Sequence, residues 1–228
     1  MLLVRAADIP EYVQDGGVDC GITGIDLVRE SGAVLHELLP LGFGSCRLEA
    51  AVPEESAARS LEELAGWSVA TVYPRLAREL LPVDVSLVDV TGSVEIAPRL
   101  GLADAIVDLV SSGNTLRTNG LRSLGVLLES EAVLVARDEE RAAPFAAMLR
   151  AVVEARRHRY VMLNAPESAV PAICELVSPR TPSVLPLAEA GMVAVHALVP
   201  SNDVWRLLPQ LEAAGGSSIL IVPVERMS

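Results

Sequence analysis

The stretch Leu102–Gly120, LADAIVDLVSSGNTLRTNG, decides how the chain is read. Ala105-Ile106-Val107 and Leu109-Val110 are apolar and β-branched, which predicts a buried strand. Ser111-Ser112-Gly113-Asn114-Thr115 predicts a tight polar turn whose small residues let a ligand approach the backbone. Helix-forming residues follow at once, with Thr115 as the expected cap. Strand, small-residue loop and helix N-terminus together make an anion site that needs no lysine. Asp104 and Asp108, on the strand side, could hold sugar hydroxyls or a metal ion. A phosphorylated sugar asks for both halves of that arrangement.

Composition narrows what the loop can serve. The 228 residues leave room for one large domain or two to three small ones, and carry a formal net charge of -12. All 18 basic residues are arginine. An acidic chain is a poor partner for nucleic acid, and the lack of lysine excludes Schiff-base chemistry and a Walker-type phosphate lysine. An anionic ligand is therefore expected to be met by backbone N–H groups, hydroxyls, arginines and Mg²⁺. Although 51% of the residues are hydrophobic, no apolar run approaches the length of a membrane span, and no charged-then-apolar leader opens the sequence. Cys20, Cys46 and Cys174 lie far apart and predict buried free thiols in a reducing, cytoplasmic setting. His36, His158 and His196 are scattered too, so no zinc site is expected.

In chain order, Met1–Arg5 predicts a strand. Ala7–Val13 predicts a helix capped by Asp8, with Pro10 in its first turn and Gly16-Gly17 as its stop. Val18–Ile22 is a short strand, and Thr23-Gly24-Ile25-Asp26 turns into a helix over Leu27–Ser31. Val34–Leu41 is strand-like, Gly42–Ser45 a flexible joint between two lobes, and Cys46–Val52 the next strand. A regular alternation follows: helix at Ser60–Leu64, strand at Trp67–Val72, helix at Arg75–Leu81, strand at Val83–Val90, and a helix at Ser93–Leu100 carrying Glu95 and Arg99 one turn apart. That alternation predicts a mostly parallel sheet with ligands at the carboxyl ends of its strands. Leu121–Leu128 and Glu131–Arg137 are expected to return to the first lobe. Asp138–Arg159 reads as a long amphipathic helix ending at a domain boundary. The remainder reads as strand Tyr160–Asn164, helix Pro166–Leu176, strands Ser183–Leu187 and Met192–Val199, helix Asn202–Ala214 capped by Ser201 or Asn202, and strand Ser218–Val224. That order is the βαββαβ of a ferredoxin-like domain.

Several of these stretches, in order along nearly the whole chain, resemble the ATP phosphoribosyltransferase family, in its long form with a regulatory domain. They are DIPEYVQDGGVDCGITGIDLV, LGFGSCRL, SVATVYPRLAREL, TGSVEIAPRLGLADAIVDLVSSGNTL, YVMLNAPE, PSVLPL and GGSSILIVPVERM. The resemblance implies an α/β, bilobal, periplasmic-binding-protein-like core with a C-terminal ferredoxin-like domain. The implied boundaries are 1–45 with 124–158 for the first lobe, 46–123 for the second, and 159–228 for the regulatory domain.

The implied reaction joins N1 of ATP to C1 of phosphoribosyl pyrophosphate, with Mg²⁺, as the first step of histidine biosynthesis under feedback by histidine, in a homo-oligomer (dimer or hexamer). Carried over residue by residue, Ser111, Ser112, Gly113, Asn114 and Thr115 would hold the 5′-phosphate, and Asp104 and Asp108 the ribose hydroxyls. Glu95 and Arg99 would lie near the nucleotide, Thr23 and Gly24 would line the opposite wall of the cleft, Arg47 is a candidate for substrate phosphates, and Asn164 and Ser183 would meet histidine. With aromatics at only 3%, Tyr73 is the most suggestive partner for a nucleotide ring. No side-chain nucleophile and no direct protein ligand to the metal is implied. The family opens with a strand and helix bearing a Lys-Gly or Gly-Arg turn that is absent here. A longer natural product, with this chain starting at an internal methionine, is therefore expected. The alternative reading is a non-catalytic bilobal ligand-binding or regulatory homologue.

Overall fold

A computed structural model describes residues 1–111, 114–177 and 182–227. The chain divides into two compact units, Met1–Ala146 and Ala147–Ser228.

The first unit holds two sheets. In the smaller, β8 (Ala132–Ala136) lies between β1 (Cys20–Gly24) and β2 (His36–Pro40), antiparallel to both. All five residues of β8 are buried, as a central strand covered on both faces requires. Helices α1 (Ile9–Gln14) and α2 (Ile25–Ser31) join this layer. Val13 and Val28 from the helices pack with Val133 and Val135 of β8.

The larger sheet has five strands in the order β5 (Ser86–Asp89), β4 (Ser68–Thr71), β6 (Ala105–Val110), β3 (Cys46–Pro53), β7 (Leu121–Ser130). Its two faces have separate cores. Leu48, Ala50 and Val52 of β3 meet Val69, Leu76, Ala77 and Val107 on one side, with α3 (Pro74–Leu80) supplying the cover. Ala51 meets Ala70, Val94, Ile106 and Leu116 on the other, where α4 (Asn114–Thr118) lies. Burying each large aliphatic side chain contributes about 1.5–3 kcal/mol.

Several expectations are corrected. The large sheet is mixed, not mostly parallel: β4 runs parallel to β5 and β6, whereas β3 is antiparallel to β6 and β7. The cause is the path of the chain, since β3 carries it in from the small sheet and β7 carries it back. Leu121–Leu128 accordingly belongs to the large sheet, paired along β3, and only β8 lies in the small one.

Met1–Arg5 forms no strand. Leu2 and Leu3 are 71% and 90% exposed, because a strand needs a partner for its N–H and C=O groups. Ser93–Leu100 is two 3-10 turns, Val94–Ile96 and Pro98–Leu100, since Pro98 cannot donate into a continuing α-helix. Thr115 lies inside α4, and α4 has five residues. Asp8 stands at the N-cap of α1 but makes no side-chain cap bond.

The long helix α5 (Glu139–Arg156) ends before His158, and the division between the units falls within it. It buries Ala142, Ala146 and Ala155 while Phe145 and Met148 stay exposed, so its side is less apolar than expected.

In the second unit β9 (His158–Pro166), α6 (Val170–Val177), β10 (Ser183–Pro186), β11 (Met192–Pro200), α7 (Val204–Ala213) and β12 (Ser217–Pro223) follow in the expected order. The antiparallel sheet runs β10-β11-β9-β12, the ferredoxin-like arrangement. Alternate residues Val161, Leu163 and Ala165 of β9 and Val193, Val195, Ala197 and Val199 of β11 pack against Ile173 and Val177 of α6 and Leu207 and Leu211 of α7. Asp203, one residue on from the expected caps, occupies the N-cap of α7.

Candidate functional site

The chain crosses between the two sheets of the first unit twice, and the crossings are bonded to each other. Leu41 N–H donates to the Ala132 carbonyl at 2.9 Å, and Ala132 N–H to the Phe43 carbonyl at 3.0 Å. Gly42 and Gly44 take φ of 70° and 69°, left-handed values that glycine adopts without strain. The Gly42 N–H is bound by Glu131 Oε2 at 2.9 Å. Beside these crossings opens a cleft of about 490 Å³, lined by Ile25, Cys46, Arg47, Ser111, Glu129 and Ser130 among others. Strand β6 ends in this cleft, with Val110 and Ser111 in its lining.

The structure brings part of the expected site together. Ser111 and Arg47 line the cleft. Asn114 and Thr115 begin α4 and are exposed, with the Asn114 side-chain oxygen accepting from Arg117 at 2.6 Å. Ser112 and Gly113 lie outside the described residues. Asp108 is on β6, half-buried, with Leu109 N–H donating to its Oδ1 at 2.8 Å. Burial pushes its carboxyl up, and the charge of Glu95 adds to that, so Glu95 and Asp108 face one region. Across the ladder Asp108 stands opposite Glu49. Glu49 is 4% exposed. Its Oε1 lies 2.9 Å from Arg47 Nη2, an ion pair without a well-aligned hydrogen bond.

Other expected residues go elsewhere. Asp104 precedes β6 at the far end from the loop. Its Oδ2 accepts from Ser68 N–H at 2.9 Å and from Ser68 Oγ–H at 2.5 Å, which holds its carboxyl below the usual range. Four residues of strand separate Asp104 from Asp108 by about 13 Å, and seven separate it from Ser111 by about 23 Å. A spacing of four is a near contact on a helix, not along a strand. Thr23 is buried and donates to the Ala6 carbonyl at 2.7 Å. Gly24 caps α2. Arg99 is exposed and has no ion pair among the described residues.

In the second unit Asn164 pairs with Ala194 and Ser183 with His196, so β11 lies between them. The buried alternation of β9 and β11 turns Asn164 and His196 to the face away from the helices, and Ser183 shares it.

Sequence reasoning missed the most connected group. Asp26, 4% exposed, accepts from Ser130 Oγ–H at 2.5 Å and from Tyr73 O–H at 3.1 Å, and its own N–H donates to Ser130 Oγ at 3.1 Å. Burial and the Asp26 charge push the Tyr73 phenol well above its ordinary value. They push the Cys46 thiol up as well. An aspartate in the first turn of a helix normally complements the helix dipole, and no sequence signal said that it would turn inward. The three cysteines are free and half-buried rather than buried.

Among the described residues no group of three or more His, Cys, Asp and Glu side chains could hold a metal ion, and no helix is long and apolar enough to cross a membrane. The class of protein is thus a two-sheet α/β core with a cleft at its crossings, followed by a ferredoxin-like domain. The chain is similar to the ATP phosphoribosyl transferase (HisG:HisZ) complex from Thermotoga maritima, with a TM-score of 0.59 and 28% identity, covering 67% of this chain and 79% of that one. The ATP phosphoribosyltransferase model matches residues 5–155, and the HisG C-terminal domain model matches residues 155–226. Among curated relatives, the ATP phosphoribosyltransferase of Gemmatimonas aurantiaca is 43% identical over 99% of this chain and 84% of its own length. That of Methanocella arvoryzae is 42% identical over 100% and 84%. The chain belongs to the ATP phosphoribosyltransferase family, a family of glycosyltransferase-type enzymes.

Proposed function

We propose that the chain transfers the phosphoribosyl group of phosphoribosyl pyrophosphate to N1 of ATP, opening histidine biosynthesis. The N1–C1 bond forms as the C1–O bond to pyrophosphate breaks, and the bonding pair leaves on pyrophosphate oxygen. The sugar carbon passes through an oxocarbenium-like state, so catalysis is positioning of two large anions and stabilisation of the leaving charge.

The observation that carries this reading is the end of β6: half-buried Asp108, then Ser111 opening into a cleft that also holds Arg47. Asp108 takes the ribose hydroxyls. Ser111, Asn114 and Thr115, with the Ser112-Gly113 backbone between them, take the 5′-phosphate. Arg47, held by Glu49, meets pyrophosphate oxygens. Glu95 and Arg99 belong to the nucleotide side and Thr23 and Gly24 to the opposite wall, while Tyr73, buried with its hydroxyl on Asp26, supports the cleft without meeting the ligand. Among the described residues no carboxylate cage fits magnesium, and it is taken to arrive on the substrates' phosphates, where it commonly keeps most of its waters. Asn164 and Ser183 are read as part of a histidine-binding face, and a homo-oligomer as the working form.

The test incubates the protein with ATP, phosphoribosyl pyrophosphate and Mg²⁺ and follows the ultraviolet-absorbing adduct. Adduct formation that is abolished by Asp108→Ala and kept by the surface change Glu140→Ala supports the reading. Binding of both substrates without adduct identifies the chain as a non-catalytic homologue instead.

A further inference from the structure

Helix α2 belongs to the layer of the small sheet, and Tyr73 and α3 to that of the large one. Two acidic side chains of α2, one turn apart, reach across between these layers. Asp26 binds the Tyr73 hydroxyl with Oδ2 and the Ser130 hydroxyl with Oδ1. Ser130 is the last residue of β7, where the chain leaves the large sheet. Glu30 accepts the Arg75 N–H at 3.0 Å with Oε1 and the Leu76 N–H at 2.9 Å with Oε2, capping the first turn of α3. Asp26, Tyr73 and Ser130 are all buried, and every side-chain oxygen of the trio has a partner, so none of them waits for a ligand. Ser130 itself and Ile25, the neighbour of Asp26, line the cleft.

We propose that Asp26 is a positioning residue for phosphoribosyl transfer, holding the two walls of the cleft at one spacing. The inference rests on the transfer reading. A substrate held by the β6 loop touches one wall, and its partner must be presented from the other. Binding to a single wall does not depend on the spacing, whereas the approach of N1 to C1 does. A displacement of about 1 Å between reacting groups costs about 100-fold in rate.

The test compares Asp26→Ala and Asp26→Asn with the unaltered protein. In Asp26→Ala, kcat falls about 100-fold while calorimetric affinity for phosphoribosyl pyrophosphate with Mg²⁺ stays within about twofold. Amide exchange at Leu41, Arg75, Leu76 and Ala132 accelerates. Asp26→Asn restores both, because the amide oxygen can accept from Tyr73 and the amide N–H can donate to Ser130 Oγ. An unchanged kcat, a parallel loss of affinity, or unchanged exchange at those amides overturns the proposal. If Asp26→Ala does not fold, Tyr73→Phe, which cuts one of the two hydrogen bonds that the Asp26 carboxylate makes, is read by the same criteria. If the unaltered protein forms no adduct, the transfer reading falls on its own, and the exchange comparison still decides whether Asp26 holds the walls.

Discussion

Asp104 and Asp108 are the same residue type four positions apart, and they have opposite environments. One is exposed and satisfied by Ser68; the other is half-buried beside the charge of Glu95. Asp108→Ala is expected to abolish adduct formation, and Asp104→Ala to leave kcat within about threefold, since a change distant from the chemistry that preserves the strand perturbs little. Comparable losses in both would show that the carboxylates act as a pair.

Stability separates the two aspartates further. A carboxyl raised by folding takes up protons on folding, so the stabilisation it provides is full below its unfolded value and is lost as pH rises through the folded one. Asp108→Asn should therefore raise the melting temperature by about 2 °C or more near pH 7, and the gain should vanish near pH 4, where an ordinary carboxyl is half-protonated. Gly24 adds a steric case. A Cβ there would meet Asp26 Oδ1, so Gly24→Ala should displace that carboxylate and lower kcat in the manner of Asp26→Ala, which a side-by-side assay checks.

At the scale of elements, apolar runs such as Ala105–Val110 and Cys46–Val52 were legible because β-branched and apolar residues bounded by turn residues have few other solutions. Strand direction was not, because direction depends on where the chain enters and leaves a sheet. Ser93–Leu100 reads locally as one helix, yet Pro98, which cannot donate an N–H, begins a second 3-10 turn there. The start of α3 shows a cap that no local reading could find, since its acceptor, Glu30, lies 45 residues before the Arg75 N–H it binds. Glu30→Ala is expected to cost about 1 kcal/mol, the usual value of a lost helix cap, measured by urea unfolding with Arg75 and Leu76 amide exchange as the local readout. A loss of stability without faster exchange there would assign Glu30 another role.

At the scale of the molecule, each unit carries its own core, and the candidate sites divide between them. With no protein cage for a metal among the described residues, chelation by EDTA should stop adduct formation while leaving the melting temperature of the ligand-free protein unchanged. A drop in melting temperature would reveal a resident ion. Histidine binding followed by calorimetry should weaken at least tenfold in Asn164→Ala, a loss in the range of one hydrogen bond to a charged ligand, with phosphoribosyl transfer in the absence of histidine unaltered.

The sequence by itself determined most of the strands, among them β6, the βαββαβ tail and the family, because these are local patterns read along the chain. Only the tertiary structure decided that Asp108 is half-buried near the charge of Glu95 while Asp104 is held by Ser68, that β7 belongs with β3, and that Asp26 turns inward to Tyr73 and Ser130. Those outcomes depend on which distant groups a side chain meets. Burial and hydrogen bonding between residues 47 and 104 positions apart leave no trace in local spacing.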